Sequence, residues 1–75
     1  MCETLGRRIR RARTHYGMTQ AELARRVGIS SQGLNAIETD KTPDPGASRI
    51  REIARVLRVS ADFLLGLTND IEKAA

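Results

Sequence analysis

Apolar residues recur along most of the chain at intervals of three and four, the spacing of one face of an α-helix. In the first segment this stripe comprises Leu5, Ile9, Ala12 and Tyr16, with arginines on the other faces, and it predicts a helix over residues 3–16. No long alternation of apolar and polar residues occurs, and no Asn-Gly or Asp-Gly hairpin turn is present. The chain is therefore predicted to be all-α.

Capping residues divide the next part of the chain into further helices. Thr19, with Glu22 three residues later, has the pattern of a capping box that begins helix 2, and Gly28 ends that helix. Ser30 is the predicted N-cap of helix 3, over residues 31–38. The positions expected to face the core on helices 2 to 4 are Ala21, Leu23, Ala24, Val27, Leu34, Ile37, Ala47, Ile50, Ile53, Ala54 and Leu57.

Residues 39–46 are predicted to form a loop, because each of their two prolines fixes φ and disfavours helix in the residue before it. Helix 4 follows this loop, and Ser60 is the predicted N-cap of a fifth helix. Helix 5 is short, with apolar residues at 63–65, and Gly66 stops it. The pattern thus predicts five helices joined by short links.

The length of 75 residues suits one small domain, predicted over residues 1–67. Residues 68–75 are predicted to be a polar C-terminal tail, either a frayed helix or disordered. No apolar run approaches the roughly 18 residues of a membrane span, and the chain does not begin with a secretory signal. The single cysteine, Cys2, excludes an internal disulfide. We therefore expect a cytoplasmic protein without membrane association.

Basic residues outnumber acidic ones by 13 to 9, and the excess is confined to the first third of the chain. Residues 1–27 carry a net charge of +5, whereas residues 28–75 carry −1. Eleven of the bases are arginines, whose planar guanidinium matches the geometry of a phosphate. The charge therefore favours a nucleic-acid partner, and a solvated polar helix surface is the alternative interpretation.

The residue types that catalysis or metal binding requires are not found together. His15 is the only histidine, and with Cys2 it falls short of the four ligands of a structural zinc site. No nucleophile is paired with a base, and there is no glycine-rich phosphate loop. Tyr16 and Phe63 are expected in the core by their helical register, which disfavours single-stranded RNA binding on aromatic platforms. We expect neither an enzyme nor a cofactor.

The spacing across helices 2 and 3 is the most informative feature of the chain. Ala24 supplies a small residue where two helices joined by a tight turn approach each other, and Gly28 suits the positive φ of that turn. Ile29, Leu34 and Ile37 attach helix 3 to the domain. The outer face of helix 3 keeps short uncharged side chains suited to base edges in a major groove, namely Ser31, Gln32, Asn35 and Ala36.

With these features the chain resembles the lambda-repressor-like, or Xre/Cro-type, helix-turn-helix domains. The resemblance covers about residues 4–66 and is carried, in order, by residues 5–10, 18–24, 27–30, 34–38, 53–57 and 59–65. It implies a compact five-helix domain with the helix-turn-helix in helices 2 and 3. It also implies sequence-specific binding to double-stranded DNA, with helix 3 in the major groove.

The resemblance also implies roles for individual side chains. Ser31, Gln32 and Asn35 would contact bases, with Ala36 against a thymine methyl group. The expected phosphate contacts are Gln20, Ser30, Lys41, Thr42 and Arg10, and Ser30 would also cap helix 3. Arg13 and Glu38 match positions that form an ion pair between helices 1 and 3. Asp40 departs from the pattern, because glycine is common there.

Two functions are consistent with this interpretation. The first is a transcriptional regulator of the repressor type, acting as a homodimer through helix 5 and the tail, including Leu65, Leu67 and Ile71. A dimer is expected because one helix reads only a few base pairs. The alternative is an antitoxin-like module that binds a protein partner and its own promoter, since one fold serves both functions.

Overall fold

The computed structural model describes residues 3–68, which form five helices and no strand. The helices are α1 (Leu5–His15), α2 (Gln20–Val27), α3 (Ser31–Glu38), α4 (Ala47–Leu57) and α5 (Ala61–Leu64). The predicted all-α class and the predicted number of helices are confirmed. The described domain is small, with extents of 27 × 24 × 21 Å.

Four hydroxyl side chains begin four of the five helices. Thr4, Thr19, Ser30 and Ser60 each accept a hydrogen bond from the backbone N–H three residues later, at 3.3, 3.1, 2.9 and 3.1 Å respectively. Each bond satisfies one of the amides that the first turn of a helix leaves without a partner. Three of these caps were predicted, whereas the cap at Thr4 makes α1 begin two residues later than predicted.

The capping box at Thr19 is only half formed. Thr19 caps α2 as predicted, but the carboxylate of Glu22 accepts a hydrogen bond from Arg26 at 3.0 Å, and no bond from the N–H of Thr19 is found. Arg26 lies one turn further along the same helix and offers a charged donor, which is a stronger partner than a backbone amide. The expectation that Glu22 reaches back to Thr19 is therefore wrong.

The core lies where the apolar stripes of all five helices meet. Its largest completely buried side chains are Ile9, Leu23, Leu34, Ile53, Phe63 and Leu64. Most of the positions predicted to face inward are buried. The exceptions are Tyr16, Ala21 and Ala47, which are exposed.

These three exceptions have one physical cause, because each lies at the end of a helix. Tyr16 follows α1 as its C-cap and is 44% exposed, with its ring edge-on to His15. Ala21 and Ala47 lie in the first turns of α2 and α4. Helical periodicity correctly predicts which side of a helix faces the core. It does not predict where the end of that helix extends beyond the neighbouring helices and becomes exposed.

Arg8 is buried, although the arginines were expected on solvated faces. It is 6% exposed, and its Nη1 donates to the backbone carbonyls of Phe63 at 3.0 Å and of Thr68 at 2.9 Å. Its guanidinium lies 5.0 Å from the centre of the Phe63 ring. The last carbonyls of a helix carry partial negative charge and need donors. Arg8 therefore attaches α5 and the turn after it to α1.

Gly6 marks the closest approach of α1 to the end of α3. A Cβ at this position would lie 2.2 Å from the carbonyl oxygen of Ile37 and 2.8 Å from that of Glu38. Only glycine allows the backbones to approach this closely. The contact fixes where the end of α3 and the residues after it stand relative to α1.

Candidate nucleic-acid interface

A left-handed glycine joins α2 to α3. Gly28 has φ 89°, and the N–H groups of Gly28 and Ile29 both donate to the carbonyl of Ala24, at 2.9 and 3.0 Å. Ser30 then caps α3 directly, so only three residues separate the two helices. Ala24 is 1% exposed at this junction. The tight turn leaves one face of α3 outside the core.

Six of the predicted DNA contacts line one open concave surface, called here the α3 surface: Gln20, Ser31, Gln32, Asn35, Ala36 and Lys41. Gln20 is the first residue of α2, and Lys41 comes from the loop after α3. The side chains of Ser31, Gln32 and Asn35 are exposed, whereas Ala36 is half-buried. The α3 surface therefore presents amide and hydroxyl groups with a cation at one side.

An almost completely buried carboxylate lies behind the α3 surface. Glu38 accepts hydrogen bonds from Nε and Nη2 of Arg13 at 2.8 and 3.2 Å, and from Nε2 of Gln20 at 3.3 Å. Arg13 also donates from Nη1 to the carbonyl of Met18 at 2.9 Å. The side chains of Glu38 and Arg13 are only 2% and 12% exposed. One carboxylate thus joins α1, α2 and α3, and it orients the amide of Gln20.

The three remaining predicted phosphate contacts are placed differently. Ser30 lies at the start of α3, where its Oγ accepts from the N–H of Gly33. Thr42 is exposed in the loop, and its N–H donates to the carbonyl of Ala36 at 3.0 Å. Arg10 is exposed on α1, in a separate polar groove with Glu3, Arg7, Arg11 and Thr14. The structure does not bring Arg10 into the α3 surface.

Sequence reasoning missed two residues that position the loop after α3. Asp40 adopts φ 66°, and its Oδ2 accepts a hydrogen bond from Oγ1 of Thr4 at 2.9 Å. Gly6 provides the space beside this carboxylate. A glycine in the first turn of an otherwise good helix was the available signal, because glycine there is unfavourable unless a backbone approaches closely.

The described residues hold no group of three or more His, Cys, Asp or Glu side chains that could bind a metal ion. Over residues 3–68, none of the helices is both long and apolar enough to cross a membrane. What the α3 surface offers is hydrogen-bond donors and acceptors on a protruding helix.

Comparison with known proteins identifies the family. The helix-turn-helix family model matches residues 9–64. The chain belongs to the helix-turn-helix family. It is 35% identical over 63 residues to the HTH-type transcriptional regulator ImmR of Bacillus subtilis, covering 84% of this chain and 49% of ImmR. It is 41% identical over 63 residues to the regulator of the conjugative element SXT of Vibrio cholerae, covering 83% and 28%.

Solved structures show the same fold. The DNA-binding domain of the P22 c2 repressor matches with a TM-score of 0.83 and 27% identity, over 100% of this chain and 95% of that domain. SinR in complex with DNA matches with a TM-score of 0.75 and 32% identity, over 80% and 98%. The predicted lambda-repressor-like fold is confirmed. The chain spans about half the length of ImmR and similar curated relatives.

Proposed function

We propose that this helix-turn-helix chain is the sequence-specific DNA-binding domain of a transcriptional regulator. The observation that carries the proposal is the α3 surface, where side chains from α2, α3 and the following loop converge on one open face. Family membership supports the same function, because the relatives named above are transcriptional regulators. SinR and the P22 c2 repressor also have structures in complex with DNA.

In this proposal α3 enters the major groove with its exposed face toward the bases. The amides of Gln32 and Asn35 each carry a donor and an acceptor, and they can form paired hydrogen bonds to the edge of an adenine. Ser31 provides a hydroxyl, and the methyl group of Ala36 can pack against a thymine methyl. Because these four side chains of α3 carry no charge, they favour discrimination between bases over non-specific attraction to the phosphate backbone.

Phosphate contacts on either side would hold α3 in register. We assign Gln20, Ser30, Lys41 and Thr42 to these contacts, with Arg10 at greater distance from α3. Such contacts fix orientation and carry no sequence information directly. The Gln20 amide donates to Glu38 in the free protein, so it is oriented before DNA binds. Arg13 neutralises the carboxylate behind it.

The proposal is tested by selecting duplexes from a pool with a randomised central segment. A sequence reader should enrich a defined motif, and its preference for that motif over a scrambled duplex should persist when the salt concentration is raised. Non-specific binding to phosphate instead falls steeply with salt for every duplex. Equal, salt-sensitive binding to all duplexes would contradict the proposal. That result would favour the antitoxin-like alternative, in which the chain binds a protein partner.

Truncation of Gln32 should separate base contacts from phosphate contacts. Gln32→Ala is expected to cost about 1–3 kcal/mol on the selected duplex and to relax the preference at one base position. The matched control is Lys41→Ala, which should weaken binding to the selected and scrambled duplexes alike. It should also reduce the slope of the logarithm of affinity against the logarithm of salt concentration by about one. Titration of both duplexes with each variant distinguishes the two roles. The reverse pattern would show that these roles are exchanged.

We propose a homodimer for the regulator, through α5 and the residues that follow it. Leu65 and Leu67 are 53% and 74% exposed, and Leu65 borders an apolar groove with Ala47, Ile50 and Ala61. Ile71, the third apolar residue predicted for this contact, lies outside the described residues. A second copy would cover these side chains, and two copies would place two α3 helices on successive turns of the duplex.

The dimer is expected to dissociate when a charge replaces Leu67. Leu67→Asp should shift sedimentation toward the monomer and weaken binding to a two-site duplex by at least tenfold, while binding to a single half-site stays unchanged. Burial of an unpaired carboxylate at the interface provides the reason. Thr14→Asp, an exposed position on α1, is the control and should leave sedimentation unchanged. Unchanged sedimentation of Leu67→Asp would place the interface elsewhere.

A transcriptional role of the repressor type is part of the proposal, because this chain covers only about half the length of relatives such as ImmR. We also propose a cytoplasmic location, because the chromosome of bacteria such as those of the relatives lies in the cytoplasm. One relative, SinR, has a structure with the protein SinI. No contact in the described residues favours an antitoxin role over DNA binding.

A further inference from the structure

An aspartate in the left-handed conformation stands where α3 passes into the loop. Asp40 has φ 66°, and of the other five positive-φ positions in the described chain four are glycines and one is Arg58, with φ 60°. Glycine adopts this conformation without a steric penalty, and aspartate tolerates it less well. A glycine at this position would therefore be favoured if the backbone alone mattered. The side chain of Asp40 makes contacts with Thr4 and Gly6 that glycine would lack.

The carboxylate of Asp40 lies against the first turn of α1. Its Oδ2 accepts from Oγ1 of Thr4 at 2.9 Å, and its Oδ1 lies 2.8 Å from the point where a Cβ on Gly6 would stand. The same hydroxyl of Thr4 accepts from the N–H of Arg7 at 3.3 Å. One hydroxyl thus caps α1 and donates to a residue 36 positions away.

The charge of Asp40 suits this location. The N-terminus of a helix carries partial positive charge, which acidic residues stabilise from within the first turn. The first turn of α1 contains no acidic residue. Asp40, which is 36 positions from Thr4 in the sequence, supplies that negative charge. The attraction and the hydrogen bond together hold the start of the loop on α1.

The loop that Asp40 begins contains two of the proposed phosphate contacts. The N–H of Asp40 donates to the carbonyl of Ile37 at 3.2 Å, and the N–H of Thr42 donates to that of Ala36 at 3.0 Å. Lys41 lies between these two bonds and lines the α3 surface. The backbone bonds attach the loop to α3, and the Asp40 side chain attaches it to α1.

We infer that Asp40 is a positioning residue for the phosphate contacts of Lys41 and Thr42. Its carboxylate fixes the loop on the N-terminus of α1, so the loop is ordered before it meets the DNA. Ordering a loop or a long side chain during binding opposes association. The inference rests on the proposed DNA-binding function, and it assigns Asp40 a role that acts through its neighbours.

A pair of variants separates the effect of the Thr4–Asp40 hydrogen bond, called here the tether, from the effect of the charge on Asp40. Asp40→Asn and Asp40→Gly both remove a negative charge near the phosphates, and both residues tolerate a positive φ. Asparagine keeps an acceptor for Thr4, whereas glycine keeps none. We expect Asp40→Gly to bind the selected duplex about 3- to 10-fold more weakly than Asp40→Asn, with the difference caused by loss of order in the loop. Equal affinity would overturn the inference.

A double-variant cycle tests whether the effect passes through Lys41. Lys41→Ala should weaken binding as much in the Asp40→Asn background as in the original chain, and clearly less in the Asp40→Gly background. A contribution to stability alone would leave the effect of Lys41→Ala the same in both backgrounds. Urea unfolding of both Asp40 variants provides the stability control.

Measurement without DNA keeps this inference separate from the proposed function. The heteronuclear NOE of the Lys41 and Thr42 amides should be lower in Asp40→Gly than in Asp40→Asn. Equal NOE values overturn the inference, even if the original chain selects a DNA motif. If the NOE values are lower in Asp40→Gly but the original chain selects no duplex, the proposed function is overturned. Asp40 then orders the loop without any role in DNA binding. Lower NOE values with the expected affinity difference support both.

Discussion

Gly6→Ala is expected to lower the free energy of unfolding by about 2–4 kcal/mol. The added methyl group would stand 2.2 Å from the carbonyl oxygen of Ile37, and no real Cβ contact is that short. The obstructing atoms belong to the backbone of α3, so no side-chain rotation relieves the clash. α1 and α3 must move apart, and a domain of this size has a total stability of only about 4–11 kcal/mol.

Urea unfolding followed by circular dichroism measures this loss. Gly33→Ala is the matched control, since it makes the same chemical change in another helix. Its nearest obstruction is the Ser30 hydroxyl at 3.2 Å, and alanine is favoured over glycine within a helix. We expect a change below about 1 kcal/mol there. Similar losses for both variants would show that α1 does not approach α3 as closely as the structure indicates.

Arg13→Met is expected to destabilise the domain by about 2–4 kcal/mol, because it leaves Glu38 buried without its cation. Methionine keeps an unbranched chain of similar length but donates no hydrogen bonds. The carboxylate would retain only the amide of Gln20, at 3.3 Å. The side chain of Glu38 is 2% exposed, so water cannot replace the lost donors without a rearrangement.

Two comparisons separate this effect from general sensitivity to mutation. Arg26→Met breaks a pair with Glu22 whose side chains are 52% and 35% exposed, and it should cost below about 1 kcal/mol. The double variant Arg13→Met/Glu38→Leu removes both charges and should recover at least half of the loss, since an apolar pair can replace a buried ion pair. A double variant less stable than Arg13→Met would contradict an unpaired carboxylate as the cause.

The same pair links the fold to the proposed function. Glu38 is held by Arg13 from α1 and in turn orients Gln20 on α2. Loss of Arg13 should therefore disturb one phosphate contact as well as stability. The preference of the α3 surface for particular bases should change less. The side chains that bond Glu38 are those of Arg13 and Gln20, and not those of Gln32 or Asn35.

The sequence by itself determined the helices, because their signals act over three or four residues. Each of the hydroxyl caps at Thr19, Ser30 and Ser60 bonds a backbone amide three positions away, and the glycine turn at Gly28 is equally local. The outer face of α3 could be predicted for the same reason, since Leu34 and Ile37 identify the inner one. Local periodicity is sufficient wherever the interacting groups share one helix.

Assembly of the α3 surface required more than local pattern. Its members come from α2, α3 and the loop, and their grouping was expected from resemblance to a known fold rather than from spacing. The exposure of Tyr16 and Ala47 at the ends of their helices shows the limit of periodicity. It identifies the side of a helix that faces inward, but it does not show where neighbouring helices end.

Only the tertiary structure decided the roles of Gly6, Arg8 and Asp40. The partner of Arg8 is the carbonyl of Phe63, 55 residues away, and that of Asp40 is Thr4, 36 residues away. No periodicity within a helix encodes such a pair, because it depends on how two helices cross. In the sequence, nothing local distinguishes these three residues from others of their type. Their roles arise because the crossing of the helices brings a backbone or a side chain against each of them.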